Sequence, residues 1–151
     1  MIPNNLFFIF GLKRQTTELM FAHYLSVLSA KLVNNPDNIY FYYHYEPYGK
    51  WWDEIKKITK IIKIDIPQYW GKEKIKHYAH AADHIRMMLL YEKGGIYMDI
   101  DTISIKPYTK YLNNSLVMGR QNIPLGLCNA IMMSEPKAKF LKIWLDYYPK
   151  Y

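Results

Sequence analysis

Apolar positions along the chain fall into alternating short runs and longer periodic stretches. Leu6-Phe7-Phe8-Ile9-Phe10 is an unbroken apolar run that ends at Gly11, the pattern of a strand buried on both faces. The stretch after it predicts a helix capped by Thr16 or Thr17, carrying Glu18 in its first turn and running to about Val33. Asn34-Asn35-Pro36-Asp37 stops that helix. Ile39 to Tyr45 is β-branched and aromatic, a second strand, and Glu46-Pro47-Tyr48-Gly49 is a turn. A short helix over Trp51–Ile58 and a third strand over Ile61–Ile66 follow. A long helix is expected from about Ile75 to Lys93, then a strand from Ile96 to Asp101. Short strands over Leu116–Arg120 and Ala130–Met133 precede a last helix over Lys137–Tyr147. Strands alternating with helices predict an α/β fold with a mostly parallel sheet, whose ligands bind at the carboxyl ends of the strands.

Composition narrows the class. The chain has 151 residues, half of them hydrophobic and 17% aromatic, enough for one domain with a real core. The charge of +7 favours an anionic partner: a nucleotide, a phosphate, nucleic acid or an acidic membrane. Cys128 is the single cysteine, so no intrachain disulfide forms, which fits a reducing compartment. It is read as a small core residue. Leu6 to Phe10 is too short for a signal-peptide core or a membrane span, so the expectation is a cytoplasmic protein with no membrane segment.

The chemistry concentrates in Asp83-His84-Ile85-Arg86 and in Gly94-Gly95-Ile96-Tyr97-Met98-Asp99-Ile100-Asp101. Strand side chains alternate, so Tyr97, Asp99 and Asp101 share one face while Ile96, Met98 and Ile100 anchor the other. Two carboxylates there can hold a hard divalent cation, which in turn binds a diphosphate. Gly94-Gly95 permits positive φ just before the strand. Asp83 and Arg86, three apart on an otherwise apolar helix, form either a structural ion pair or a sugar-binding pair. His77, His80 and His84 share one stripe of that helix, and His80-x-x-x-His84 has zinc-pair spacing. No Glu lies between them and no Cys is near, so partly exposed histidines are the alternative. The lysines between Lys50 and Lys76, interleaved with Trp51, Trp52, Tyr69 and Trp70, read either as a nucleic-acid surface or as amphipathic elements with solvated lysines.

Taken together, Ala82-Asp83-His84-Ile85-Arg86 and Leu89-Leu90-Tyr91-Glu92-Lys93-Gly94-Gly95-Ile96-Tyr97-Met98-Asp99-Ile100-Asp101 resemble the signature of the family 32 glycosyltransferases of the Asp-x-Asp type. That resemblance implies a GT-A fold, a Rossmann-like mostly parallel sheet flanked by helices, with residues 1–151 as one nucleotide-sugar-binding domain. It implies a hexosyltransferase moving a sugar, with retention, from a nucleoside-diphosphate-sugar donor to a glycan, lipid or protein acceptor. Asp101 would coordinate Mn²⁺ or Mg²⁺, with Asp99 contacting the ribose or sugar and the metal. Asp83 and Arg86 would hold the donor sugar and Phe10, where the family usually has Trp, would flank the base. No residue is assigned as nucleophile or base. Relatives run well beyond this length, so the resemblance also implies a domain incomplete at its C-terminus. A donor-binding module without turnover is the alternative, and a basic nucleic-acid-binding protein the third reading; no nucleic acid is expected under the first.

Overall fold

The computed structural model describes residues 1–122, 124 and 126–150. Its centre is a six-stranded sheet in the order β3-β2-β1-β6-β8-β7. The strands are β1 (Asn5–Ile9), β2 (Asn38–Tyr43), β3 (Lys60–Lys63), β6 (Gly95–Met98), β7 (Leu116–Arg120) and β8 (Leu127–Ser134). The first four in spatial order run parallel, while β8 pairs antiparallel with β6 and β7 antiparallel with β8. Among the described residues four α-helices cover the faces: α1 (Phe21–Asn34), α2 (Lys50–Ile58), α3 (Tyr78–Lys93) and α4 (Lys139–Tyr147). Among the described residues no helix is long and apolar enough to cross a membrane.

Both faces of β1 and β6 are buried, as their continuous apolar runs require. Leu6, Phe8, Ile96 and Met98 enter one core with Val27 and Ala30 of α1 and Trp52 and Ile55 of α2. Phe7, Ile9 and Tyr97 enter the other with Ala81, Met87 and Leu90 of α3 and Leu141 of α4. Each Leu, Ile, Val, Phe or Met among them contributes roughly 1.5–3 kcal/mol by leaving water. The turn from α3 into β6 needs its glycines. Gly94 and Gly95 have φ of +63° and +125°, and a Cβ on Gly95 would lie 2.8 Å from the Asn5 carbonyl oxygen.

Several boundaries differ from the sequence expectation. Helix α1 starts at Phe21, not at Thr16 or Thr17. Residues before it form an extended approach in which buried Leu19 donates its N–H to the Tyr48 carbonyl, so Glu18 lies outside the first turn. Helix α3 starts at Tyr78 rather than Ile75, because Glu73–Lys74 (β5) pairs with Tyr69–Trp70 (β4) in a hairpin and His77 caps the helix by accepting from the Ala79 N–H. Helix α4 starts at Lys139, since Lys137 is left-handed at φ +59°. The strand expected over Ile96–Asp101 ends at Met98. Cys128 is half-buried rather than part of the core.

Candidate functional site

The carboxyl ends of β1 and β6 open into a cleft of about 320 Å³. Phe10, Arg86, Asp99 and Asp101 all line it, so four of the five expected donor and metal residues converge. The fifth, Asp83, is not on the cleft wall.

Asp99 and Asp101 reach the cleft from a turn and not from a strand. The Asp99 N–H still donates to the Ala130 carbonyl at 2.7 Å, but the chain then folds back. Thr102 closes the turn by donating its N–H and its hydroxyl to the Asp99 carbonyl, at 3.2 and 2.7 Å. Strand alternation therefore places Tyr97 and Asp99 on one side but does not extend to Asp101, which the turn leaves exposed beside the cleft.

Arg86 organises the wall. It is 7% exposed, and its guanidinium lies 4.3 Å above the Tyr97 ring. One terminal nitrogen donates to the Asn129 carbonyl at 2.8 Å, and the other lies 3.3 Å from Asp99 Oδ1. Nε is 3.5 Å from Asp83 Oδ1, near enough for attraction but without hydrogen-bond geometry. Asp83 itself is held from two sides: Asn129 donates to Oδ1 at 2.8 Å and the Tyr148 hydroxyl to Oδ2 at 2.5 Å. The i, i+3 pair read from sequence is thus an ion pair embedded in a network.

Electrostatics follow from burial. Burial raises the Asp99 carboxyl above the usual carboxylate range, against the pull of Arg86 and of the Tyr97 hydroxyl that donates to it at 2.6 Å. Burial also raises the Tyr97 and Tyr148 hydroxyls, the latter helped by its bond to Asp83. His23 is lowered by burial while Asp101 opposes, so its ring is neutral at neutral pH.

The donor set fits a hard cation in part. Asp99 Oδ2 has no hydrogen-bond partner among the described residues, and Asp101 stands exposed. No group of three His, Cys, Asp or Glu among the described residues is disposed to hold a metal. A Mg²⁺- or Mn²⁺-type ion needs only one or two carboxylates when substrate phosphates complete its shell, so the pair suits an ion that arrives with a diphosphate.

Other expected groups sit elsewhere. His77 caps α3, His80 faces Tyr148, and His84 packs 4.8 Å from the Trp70 ring. The Lys50–Lys76 stretch divides among α2, β3 and the hairpin, with Lys56 and Lys57 paired to Asp53 and Glu54. Sequence reasoning did not single out His23, whose ring is 5.1 Å from Phe10, nor Lys13 and Tyr78, which meet across the cleft. Their neighbours depend on where the loop after β1 returns, for which no local signal exists.

Residues 12–121 match the family described as "Glycosyltransferase sugar-binding region containing DXD motif". The chain is 34% identical to "Glucan organizing enzyme 1" of Cryptococcus neoformans var. grubii serotype A, over 98% of this chain and 44% of that protein. It is 30% identical to "Initiation-specific alpha-1,6-mannosyltransferase" of Candida albicans over 46% of this chain and 17% of that one. The chain therefore spans less than half the length of the curated relatives it matches. In three dimensions it is similar to the "PaToxG Glycosyltransferase", with a TM-score of 0.67 at 21% identity over 99% of this chain and 61% of that one. It is also similar to the apo glycosyltransferase GlyE of Streptococcus pneumoniae TIGR4, with a TM-score of 0.59 at 13% identity over 99% and 39%. The fold is the GT-A α/β fold expected from the sequence.

Proposed function

The chain belongs to the glycosyltransferase family whose sugar-binding region contains the Asp-x-Asp motif, and from that premise we propose that its cleft binds a nucleoside-diphosphate sugar for transfer to a glycan, lipid or protein acceptor. The observation that carries this reading is the convergence of Phe10, Arg86, Asp99 and Asp101 on one cleft at the strand ends.

Phe10 flanks the base, with the His23 ring packed beside it at 5.1 Å. Asp99 and Asp101 would hold Mn²⁺ or Mg²⁺, an ion that would supply positive charge for a diphosphate leaving group. Arg86, fixed by Tyr97, Asn129 and Asp83, presents a preorganised positive charge to the donor. Asp83 acts through Arg86: both its oxygens are engaged, and it keeps the guanidinium in register. Transfer with retention through an oxocarbenium-like state is the expected chemistry. Residues 1–151 act as one donor-binding domain.

A thermal-shift titration with uridine and guanosine diphosphate sugars, each with and without Mn²⁺, tests this. The melting temperature should rise only when donor and metal are both present. Asp101→Ala should abolish that rise while leaving the unliganded melting temperature within about 2 °C, because Asp101 is exposed. An undiminished rise in the variant would refute the assignment of Asp101. No rise with any donor in the parent chain would refute the reading.

A further inference from the structure

Helix α1 is inverted relative to an ordinary surface helix. Its buried positions are Ser26, Val27, Ala30 and Asn34, two of them polar. On the opposite side stand Phe21, Leu25, Leu28 and Leu32, spaced i, i+4, i+7, i+11. At about 100° per residue these fall within roughly 60° of arc. Phe21 is 48% and Leu32 70% exposed.

Asn34 and the flanking Ser29 account for the inversion, whereas buried Ser26 Oγ has no hydrogen-bond partner among the described residues. Asn34 Nδ2 donates to the Ser104 hydroxyl at 3.2 Å, and Asn34 Oδ1 accepts from the Tyr108 N–H at 3.1 Å. Ser29 accepts from the Ser104 N–H at 3.0 Å. These bonds lace the segment leaving Asp101 along the flank of α1. Because Ser104 turns inward, its neighbours turn out: Ile103 is 53% and Ile105 82% exposed. Two elements thus leave apolar side chains in water: Phe21, Leu25 and Leu32 of α1 with half-buried Leu28 between them, and Ile103 and Ile105 on the segment that Ser104 ties to the flank of α1. Isolated exposed apolar residues are unremarkable, but a contiguous group marks an interaction surface.

Charge selects the occupant. Lys31, Lys57 and Lys60 line a depression between α1 and the end of α2, together with Asp37, and Lys106, next to Ile105 in the chain, is exposed. Lys57 pairs with Glu54 and Lys60 with the Asn38 side chain, so the rim is partly neutralised but net basic. A second copy of the chain would oppose one lysine rim to another, and each copy carries +7. An anionic lipid surface accepts both halves of the patch: the apolar stripe enters the headgroup–acyl boundary and the lysines meet phosphate or carboxylate headgroups.

We infer that Phe21, Leu25, Leu28, Leu32, Ile103 and Ile105, with their lysine rim, form a peripheral docking surface for an anionic membrane. The segment carrying Ile103 and Ile105 begins at the Asp99–Asp101 turn, so docking holds the cleft at the membrane surface. A lipid-linked or membrane-borne acceptor suits that placement; this last step rests on the proposed function, and the docking itself does not.

The test is co-sedimentation of the chain with phosphatidylcholine vesicles and with vesicles containing about 30% phosphatidylserine, at low and high salt. Binding is expected to the anionic vesicles, weakened by salt. A Leu32→Glu/Ile105→Glu double variant, at positions exposed enough to stay folded by circular dichroism, should lose at least about tenfold in partitioning. A Lys31→Glu/Lys106→Glu variant should lose most of the preference for anionic over neutral vesicles. Neither variant should alter the donor-dependent rise in melting temperature, so failure of docking and failure of the donor reading are distinguishable. No binding to anionic vesicles at low salt would overturn the inference, as would equal binding to neutral vesicles or unchanged binding by the Leu32/Ile105 variant. A dimer in sedimentation velocity that this variant abolishes, without vesicle binding, would assign the surface to a second copy and overturn it too.

Discussion

Replacing Arg86 by methionine probes the network that fixes the cleft wall. The change removes one charge-assisted hydrogen bond to the Asn129 carbonyl, the attraction to Asp99 at 3.3 Å and to Asp83 at 3.5 Å, and the cation over the Tyr97 ring. Stranding a buried charge typically costs about 3–5 kcal/mol. Here the cost is smaller, because Asp83 keeps its Asn129 and Tyr148 donors and Asp99 keeps the Tyr97 hydroxyl and some water. Methionine also retains much of the buried stem. A net loss of about 2–3 kcal/mol follows, or roughly 5–10 °C in melting temperature for a chain of this size. The loss must depend on pH. Burial already raises the Asp99 carboxyl, and Arg86 is the main influence holding it down, so the variant raises it further. A carboxyl raised above its unfolded value favours the folded state when protonated. That contribution is present at low pH and lost as pH rises through the raised value. The deficit of Arg86→Met should therefore be largest near pH 7 and shrink as pH falls into the carboxylate range. Urea unfolding of the parent, Arg86→Met, Asp99→Asn and the double variant, at pH 7 and pH 5, measures it. A deficit below about 1 kcal/mol at pH 7, or one as large in the Asp99→Asn background as in the parent, would refute the reasoning.

Gly95→Ala should cost about 2–3 kcal/mol in urea unfolding, since φ of +125° and a Cβ 2.8 Å from the Asn5 carbonyl oxygen cannot both be relieved by a side-chain shift. Tyr148→Phe should lose about 1–2 kcal/mol, from the hydrogen bond to Asp83 that is left unmade; an unchanged melting temperature would show the bond to be dispensable. Mn²⁺-dependent donor binding should weaken as pH falls toward the raised Asp99 value, because a proton then competes with the ion, and calorimetric titration at pH 7.5 and 5.5 reads the change.

How much of this was legible depended on whether the determinant was local. The apolar run of β1 and the Gly94-Gly95 turn name their own structure, because burial on both faces and positive φ each restrict the residues allowed. That Arg86, Asp99 and Asp101 share one cleft was legible for the same reason: they sit within sixteen positions of one another, on a helix and on the turn that ends the strand after it. The start of α1 was not. Thr16 and Thr17 are competent caps, but the Leu19–Tyr48 hydrogen bond and burial of Leu19 commit those residues to the approach instead. The hairpin that shortens α3 has two-residue strands, too brief for any alternation to register. Tyr148 stands sixty-five positions from the Asp83 it contacts, and no local pattern reports such a pair.

The deepest reversal concerns α1, and it bears on what hydrophobic periodicity can establish. Periodicity detects that a helix has an apolar side; it does not say that this side faces the core. In α3 and α4 the two coincide, for Met87, Leu90 and Leu141 are buried. In α1 the stripe Phe21, Leu25, Leu28, Leu32 satisfies the period equally well, yet the helix turns Ser26 and Asn34 inward with Val27 and Ala30. Burying polar groups costs free energy unless they are bonded; Ser26 Oγ goes unpartnered among the described residues, while Asn34 and half-buried Ser29 bond the segment that follows the Asp99–Asp101 turn. Exposing leucines then costs hydrophobic free energy that a core-facing stripe would have recovered. A sequence that carries both features at once fixes the position of the carboxylate turn through α1 and leaves the apolar side available to something outside the chain. The docking surface and the positioning of the cleft are therefore two consequences of one orientation of one helix. A variant that reverses it, Asn34→Leu with Leu32→Asn, should perturb donor binding and vesicle binding together.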